Sequence, residues 1–207
     1  MSKNIIITIG RELGSGGREI GKIVAEKLDI AYYDKELLSI VAKESGFCEE
    51  FIEQHEEAPT KSFIYSLVMG MSGYANGTAY NNIPLEQKVF LAQFDAIKKL
   101  ADEQSCVIVG RCADYALEEK ENVFSVFIHA PKEYRVAKVA ANNNISVNEA
   151  TDIVNKTDKK RASYYNYYTN KKWGASASYN MCIDGSILDK EQIADIIVDV
   201  AKKYFNI

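Results

Sequence analysis

The first segment that could do chemistry is a glycine-rich stretch between an apolar run and an amphipathic run, with Gly10, Gly14, Gly16 and Gly17. Glycine adopts positive φ and has no Cβ, so backbone N–H groups can crowd around an anion there. The helix predicted to follow directs its unpaired N–H groups and the positive end of its dipole toward the same place. The segment therefore predicts a phosphate-binding loop. The alternative is a glycine-rich turn with only a structural role.

This loop departs from the common phosphate-binding patterns. Neither GxxxxGK[ST] nor GxGxxG is present in its usual form, and Gly17 stands where the lysine is expected. Arg18 comes next and can supply the missing positive charge, since a guanidinium binds phosphate well. Glu19 occupies the position at which a magnesium-binding hydroxyl is expected. The predicted phosphate-binding residues are Gly10, Gly14, Ser15, Gly16, Gly17, Arg18 and Glu19.

Other polar residues stand where elements end or begin. Arg111 directly follows a Val-Ile-Val-Gly run, at the carboxyl end of a predicted strand, where open α/β sheets place their ligands. Asp34 follows a second predicted strand and is also suited to be the N-cap of the next helix. Asp158 and Arg161 are three residues apart and share a helix face. For this last pair, a solvated basic face is the alternative to a ligand site.

The elements that must position these residues alternate along the chain. Apolar runs alternate with amphipathic stretches, the pattern of a parallel α/β sheet. Two capping boxes, Ser146 with Glu149 and Asp189 with Gln192, predict helix starts. The predicted strands are Asn4 to Ile9, Ile30 to Tyr33, Cys106 to Gly110, Val123 to Ile128 and Tyr179 to Ile183.

Length and composition are those of one globular domain. The chain has 207 residues, a hydrophobic fraction of 47% and a net charge of −4, which argues against a nucleic-acid binder or a polybasic membrane binder. No apolar run is long enough to span a membrane. The four cysteines have no zinc-ligand spacing, so reduced thiols, a cytoplasmic location and no dedicated metal site are expected. The tyrosines at helical spacing (Tyr164, Tyr165, Tyr167 and Tyr168) are expected to pack against the sheet rather than to stack on a base.

Blocks spread over nearly the whole chain resemble the cytidylate kinase-like family. The run Gly14 to Leu28 looks like the phosphate loop and first helix of cytidylate kinases, closer still to the group that lacks the loop lysine. Tyr32 to Leu38, Val107 to Arg111 and Val126 to Pro131 resemble the family's next three strand motifs in the right order. The D-x-x-R motif of the family's lid is matched by Asp158 and Arg161.

The resemblance implies a fold and an activity. The implied fold is a three-layer P-loop NTPase-type α/β domain over residues 1–207, with a five-stranded parallel sheet, helices on both faces and a helical lid. An acceptor-side helical insertion at about 46–83 and the lid at about 145–175 are also implied. The implied reaction is phosphoryl transfer from ATP, with Mg²⁺ bound through the phosphates, to a nucleoside monophosphate or a related small phosphorylated acceptor.

The family's roles can be carried over to matching positions only. The resemblance implies Asp158 and Arg161 as catalytic residues and Asp34 and Arg111 as acceptor-binding residues. Arg18, the substitute for the absent lysine, is added to the catalytic residues, and Asp114 to the acceptor-binding residues. True cytidylate kinases continue GR with an aspartate that reads cytosine, but this chain has Cys112 there, and Asp114 lies two residues on. Lys35 also replaces an expected small hydroxyl residue.

Two other functions fit the same departures. A nucleotide-binding module with little or no kinase activity is favoured by the missing lysine and by Glu19. A kinase acting on a non-nucleotide substrate is the third possibility, and fold analogy does not choose among the three.

Overall fold

The computed structural model describes residues 4–34, 37, 39–41 and 85–207. Within these residues five parallel strands form one sheet in the order β2-β3-β1-β4-β5. The strands are β1 (Ile6–Arg11), β2 (Ala31–Tyr33), β3 (Cys106–Val109), β4 (Val123–His129) and β5 (Met181–Asp184). The helices that surround the sheet include α1 (Gly17–Leu28), α2 (Leu85–Glu103), α3 (Ala113–Ala116), α4 (Lys132–Asn143), α5 (Val147–Thr169) and α6 (Lys190–Phe205).

Two apolar cores cover the two faces of the sheet. Alternate side chains of β1 point to opposite faces, so Ile6 lies in one core while Ile7 and Ile9 lie in the other. The core around Ile6 takes buried side chains from α2 and α3. The core around Ile7 and Ile9 takes them from α1 and α6. The result is the predicted three-layer arrangement, with helices on both faces of a parallel sheet.

Strand β1 occupies the centre of the sheet and brings the ends of its neighbours to the glycine-rich loop. Ile9 lies in register with Val109 of β3, and Arg11 with Ile128 of β4. Because all five strands are parallel, the segments after β1, β2 and β3 emerge at one edge. This confirms the prediction that the loop lies at a carboxyl end beside the Val107–Val109 strand.

The sequence located the elements to within one or two residues. The capping boxes at Ser146 and Asp189 are both formed, with reciprocal side-chain and backbone hydrogen bonds. β1 begins two residues later than predicted and also ends two residues later, at Arg11. The four-residue helix α3 was not predicted, because it is too short to show a periodic apolar pattern.

Three tyrosines of α5 are buried, but they pack against α2, whereas packing against the sheet had been predicted. Tyr164, Tyr165 and Tyr168 are buried in a cluster with Phe90 of α2. The ring of Tyr168 stacks on Phe90 with centroids 3.9 Å apart. Trp173 contacts Phe127 edge-on at 5.3 Å. These contacts fix the carboxyl-terminal half of α5 against the rest of the domain.

Some sequence predictions lie outside the described residues. They include the 46–83 insertion with its Gly70 to Asn82 stretch, and the position of Lys35. Among the residues the structure does describe, no helix is long and apolar enough to cross a membrane.

Candidate functional site

The loop after β1 has the backbone shape of an anion cradle. Gly14 and Gly16 have φ of +82° and +84°, which residues with a Cβ rarely adopt. Helix α1 begins at Gly17, so the first amides of the helix have no intrahelical acceptor. Gly16 is the N-cap and brings no side chain to satisfy them. The loop therefore fits a phosphate group, which can accept from these amides and meets the positive end of the helix dipole.

Asp158 and Arg135 hold the loop from the side. The Leu13 amide donates to Asp158 Oδ1 at 2.9 Å, and Arg135 Nη1 lies 2.5 Å from Asp158 Oδ2. Arg135 also donates to the Leu13 carbonyl at 3.2 Å and lies 3.1 Å from Glu12 Oε2. Asp158 thus joins α5 to the loop backbone. Its contacts are those of a residue that positions the loop.

Asp34 is buried at the end of β2 and accepts from two arginines. Arg18 Nε lies 2.5 Å from Asp34 Oδ2, and Arg111 Nη1 donates to Asp34 Oδ1 at 3.4 Å. The Asp34 and Arg111 side chains are only 5% and 4% exposed, whereas that of Arg18 is 53% exposed. The structure therefore brings together Asp34 and Arg111, as the acceptor-site prediction requires. It places the Arg18 guanidinium on Asp34, so the donor-phosphate role of Arg18 stays a prediction.

The chain after β3 makes an unusual turn. Gly110, Arg111 and Cys112 have φ of 77°, 54° and 55° in succession. Two consecutive non-glycine residues in the left-handed region cost about 1–2 kcal/mol each. The turn lets Arg111 fold back so that its Nη1 also donates to the Val109 carbonyl at 3.1 Å. Strain of this kind is concentrated at functional sites.

A narrow cleft lies between the carboxyl ends of the central strands and α5. Arg11, Arg111 and Arg161 all line it, and Arg161 Nη1 donates to the Arg11 carbonyl at 3.4 Å. Thr8 and Gly10 form its floor on β1, and aromatic side chains enclose it on the α5 side. Three guanidinium-bearing residues around one narrow space make the cleft suited to an anion.

Asp114, the third predicted acceptor residue, also lines this cleft. It accepts a hydrogen bond from the Tyr165 hydroxyl at 2.6 Å. Burial raises the pKa of the Asp114 carboxyl above its ordinary value, and it also raises the pKa of Tyr165 and of Tyr179. Cys112 is buried in the aromatic cluster.

Glu19 forms an ion pair with a lysine outside the glycine-rich loop. Its carboxylate lies 3.4 Å from Lys190 Nζ at the start of α6, and both side chains are about half exposed. The Lys190 side chain also approaches Gly16, with Cε 3.6 Å from the point where a Cβ would stand. Lys190 is thus a cation beside the loop that sequence reasoning did not single out.

Taken with the fold, the loop and its arginines define a P-loop kinase type of domain. The chain belongs to the cytidylate kinase-like family, whose model matches residues 6–187. The recognition made from the sequence blocks is therefore confirmed.

Solved structures agree with this assignment. An uncharacterized protein from Eubacterium ventriosum is 33% identical, with a TM-score of 0.74 and coverage of 97% of this chain and 99% of that one. Shikimate kinase from Acinetobacter baumannii, in complex with shikimate, has 12% identity and a TM-score of 0.53, covering 98% of this chain and 95% of that one. A gluconokinase from Sinorhizobium meliloti has 12% identity and a TM-score of 0.51, covering 99% and 93%. The last two show the fold alone, and no curated protein matches significantly.

Besides Lys190, two residues of the site were missed from the sequence. Arg135 lies in the first turn of α4, where it looks like one more charge on an amphipathic helix. Arg11 was part of the loop segment but was given no role. The signal that could have found Arg11 is its position as the last residue of the central strand, at the edge where ligands bind.

Proposed function

We propose that this protein transfers the γ-phosphoryl group of ATP to a small phosphorylated acceptor, with a nucleoside monophosphate as the first candidate. The observation that carries the proposal is the cleft that Arg11, Arg111 and Arg161 line, because Gly10 and Arg11 of its lining lead directly into the glycine-rich loop. Kinase-type transfer needs donor phosphates and an acceptor held in line with balanced charge. A cradle next to three guanidinium groups supplies both requirements.

Each part of the cleft has a task in this reaction. The amides of the loop and of the α1 start bind the donor phosphates. An acceptor phosphate oxygen forms the new bond to the γ-phosphorus as the bond from that phosphorus to the β,γ-bridging oxygen breaks, and ADP leaves with the electron pair. Arg161 stabilises charge on the transferred group from the α5 side. Bound Mg²⁺, held through the donor phosphates, supplies further charge neutralisation.

The acceptor side is organised around Arg111. Its guanidinium is fixed by Asp34 and by the Val109 carbonyl, so little side-chain freedom remains to be lost on binding. Arg18 bonds the same carboxylate and thereby connects the donor loop to the acceptor site. Asp114, under Tyr165, offers a carboxyl group to hydroxyl or amino groups of the acceptor.

A second candidate is a nucleotide-binding module without turnover. Gly17 and Glu19 favour it, because they stand where kinases of this fold use a lysine and a magnesium-binding hydroxyl. The Glu19 carboxylate instead pairs with Lys190. The two functions differ in one measurable quantity, namely acceptor-dependent release of ADP.

The deciding experiment is a panel assay with the purified chain. Nucleoside monophosphates, small sugars and hydroxycarboxylic acids are each supplied with ATP and Mg²⁺. ADP release is followed by a coupled assay, and binding is followed by thermal shift. We expect ADP release well above the acceptor-free rate with one class of acceptor, and loss of this increment in Arg111→Ala. Nucleotide-induced stabilisation without acceptor-dependent turnover would decide for the binding module. The absence of both nucleotide-induced stabilisation and acceptor-dependent turnover would reject both functions.

A further inference from the structure

We propose that Arg11, the last residue of the central strand, replaces the absent loop lysine as the cation on the terminal phosphates of the donor. This inference rests on the proposed function, which it deepens by naming the residue that recognises a triphosphate. From the sequence alone, the missing positive charge was assigned to Arg18, and Arg11 was given no role.

The first evidence is the contact between Arg11 and Gly17. A Cβ added at Gly17 would lie 2.6 Å from Arg11 Cβ and 3.3 Å from its Cγ. Side-chain carbons in proteins do not approach so closely, so any side chain at position 17 would displace Arg11. The space in which a loop lysine would begin is thus already occupied by the stem of Arg11.

The second evidence is the path of the rest of the side chain. A Cβ added at Gly110 would lie 2.2 Å from Arg11 Nη1 and 2.9 Å from its Cζ. Gly110 directly follows β3 and has φ of +77°, so its position is unsuited to a side chain for two reasons. The Arg11 side chain therefore runs from the α1 start, past Gly17, across the end of β3.

This path joins the start of α1 to the chain after β3, with the guanidinium at the Gly110 end. One end of the side chain lies under the first turn of α1, where donor phosphates are expected. The other lies beside Gly110, the residue before the acceptor arginine Arg111. Arg11 also accepts from Arg161 through its backbone carbonyl, and Arg11, Arg111 and Arg161 line one cleft. A planar guanidinium here can bind two oxygens of a terminal phosphate.

Two other cations near the loop are less suited to this task. Arg18 is half exposed, and its Nε lies 2.5 Å from Asp34, on the acceptor side. Lys190 is also partly exposed and lies 3.4 Å from Glu19. Neither side chain lines the cleft, whereas Arg11 does.

The test measures binding, so that it does not depend on turnover. Titration calorimetry gives the affinities of ATP with Mg²⁺, of its β,γ-imido analogue and of AMP for wild type, Arg11→Met, Arg11→Lys, Arg18→Met and Lys190→Met. Methionine retains the apolar stem and removes only the charge. We expect Arg11→Met to weaken triphosphate binding by about 30-fold or more, the scale for a desolvated charge contact, and AMP binding by less than about threefold. Arg11→Lys should recover part of the loss.

A further variant tests the geometry with the charge retained. Gly17→Ala keeps Arg11 but removes the space for its stem, so it should weaken triphosphate binding to a similar extent. Circular dichroism and thermal unfolding check that each variant is folded. Wild-type triphosphate affinity in folded Arg11→Met or Gly17→Ala would overturn the role of Arg11, and a matching loss confined to Arg18→Met or Lys190→Met would assign it to that residue.

The outcome for the wild type separates this inference from the proposed function. Wild type that binds ATP without turnover, with affinity lost in Arg11→Met, would reject the kinase reaction and retain Arg11 as the triphosphate residue. Turnover that survives in Arg11→Met with unchanged ATP affinity would retain the kinase reaction and reject the role of Arg11. Wild type with no affinity for any nucleotide would reject both.

Discussion

The backbone amide of Leu13 donates to the carboxylate of Asp158 at 2.9 Å, a hydrogen bond between residues 145 positions apart in the chain. The same carboxylate pairs with Arg135, which also bonds the Leu13 carbonyl. Helix α5 therefore determines the position of the glycine-rich loop, although it contributes nothing to the loop's sequence.

Asp158→Asn should destabilise the protein and disorder the loop together. Arg135 is 8% exposed and would lose its closest carboxylate while keeping Glu12. Because one partner remains, we expect a loss of unfolding free energy at the low end for a broken buried ion pair, about 3 kcal/mol. Urea unfolding measures this cost, and nucleotide affinity should fall with it. Asp152→Asn, at an exposed position of the same helix, is the matched control and should change stability by less than about 0.5 kcal/mol. Equal effects of the two variants would contradict the positioning role.

Gly14 and Gly16 have the same left-handed backbone but different surroundings. A Cβ at Gly14 would lie 2.7 Å from the Arg135 carbonyl oxygen, whereas the atoms nearest a Cβ at Gly16 are side-chain carbons at 3.6 Å. Gly16→Ala should therefore cost only the backbone strain, about 1–2 kcal/mol. Gly14→Ala should cost clearly more, because its neighbour is backbone and cannot move away. Denaturant midpoints of the two variants, measured side by side, test this difference, and equal midpoints would contradict it.

Arg111→Ala should weaken use of the acceptor while leaving ATP binding largely unchanged. Removing a desolvated charge contact costs about 2–5 kcal/mol, so kcat/KM for the acceptor should fall by about 30-fold or more. Steady-state kinetics with the acceptor varied at saturating ATP, together with calorimetry of ATP binding, give the two quantities. Lys120→Ala, whose side chain pairs with Asp102 outside this cleft, controls for loss of one positive charge. A parallel loss of ATP affinity would place Arg111 on the donor side.

The stability of the protein should depend on pH through Asp114. Burial raises the pKa of this carboxyl in the folded state above its ordinary 3.8, so the folded protein holds the proton more tightly than the unfolded chain. Wild-type stability is then lost as the pH rises from 3.8 through the folded pKa. Asn at this position can still accept from Tyr165 but does not titrate. The unfolding free energy of Asp114→Asn relative to wild type should rise across this window and level off above it. A difference that is constant from about pH 3 to about pH 8 would contradict the burial effect.

The sequence predicted the fold well because its signals are local. β-branched runs, the glycines after Ile9 and two capping boxes each depend on neighbours in the chain, and the strands follow in one order that a parallel sheet accommodates. Asp34 and Arg111 were also expected at one site, since each was predicted to follow a strand. Their acceptor-binding role stays a prediction.

Side-chain partners across the chain were beyond this reasoning. Nothing in the sequence near Arg18 indicates that it pairs with Asp34, because both residues flank separate elements. The contact of Arg11 with Gly17 and Gly110 depends on the packing of α1 over the ends of β1 and β3. Arg135 and Asp158 meet only because α4 and α5 pack together. In each case the tertiary arrangement decides which of several nearby charges meet.

The crowding between Arg11 and Gly17 also restricts how this site can change during evolution. Lysine at position 17 and arginine at position 11 exclude each other, since a β-carbon at the first site would lie 2.6 Å from that of the second. A mutation at position 17 alone produces a collision, and one at position 11 alone removes the cation. A lineage could pass between the two arrangements only through an impaired intermediate or by changing both codons together. The two positions therefore form a coevolving pair, and homologues with lysine at the first should carry a small residue at the second.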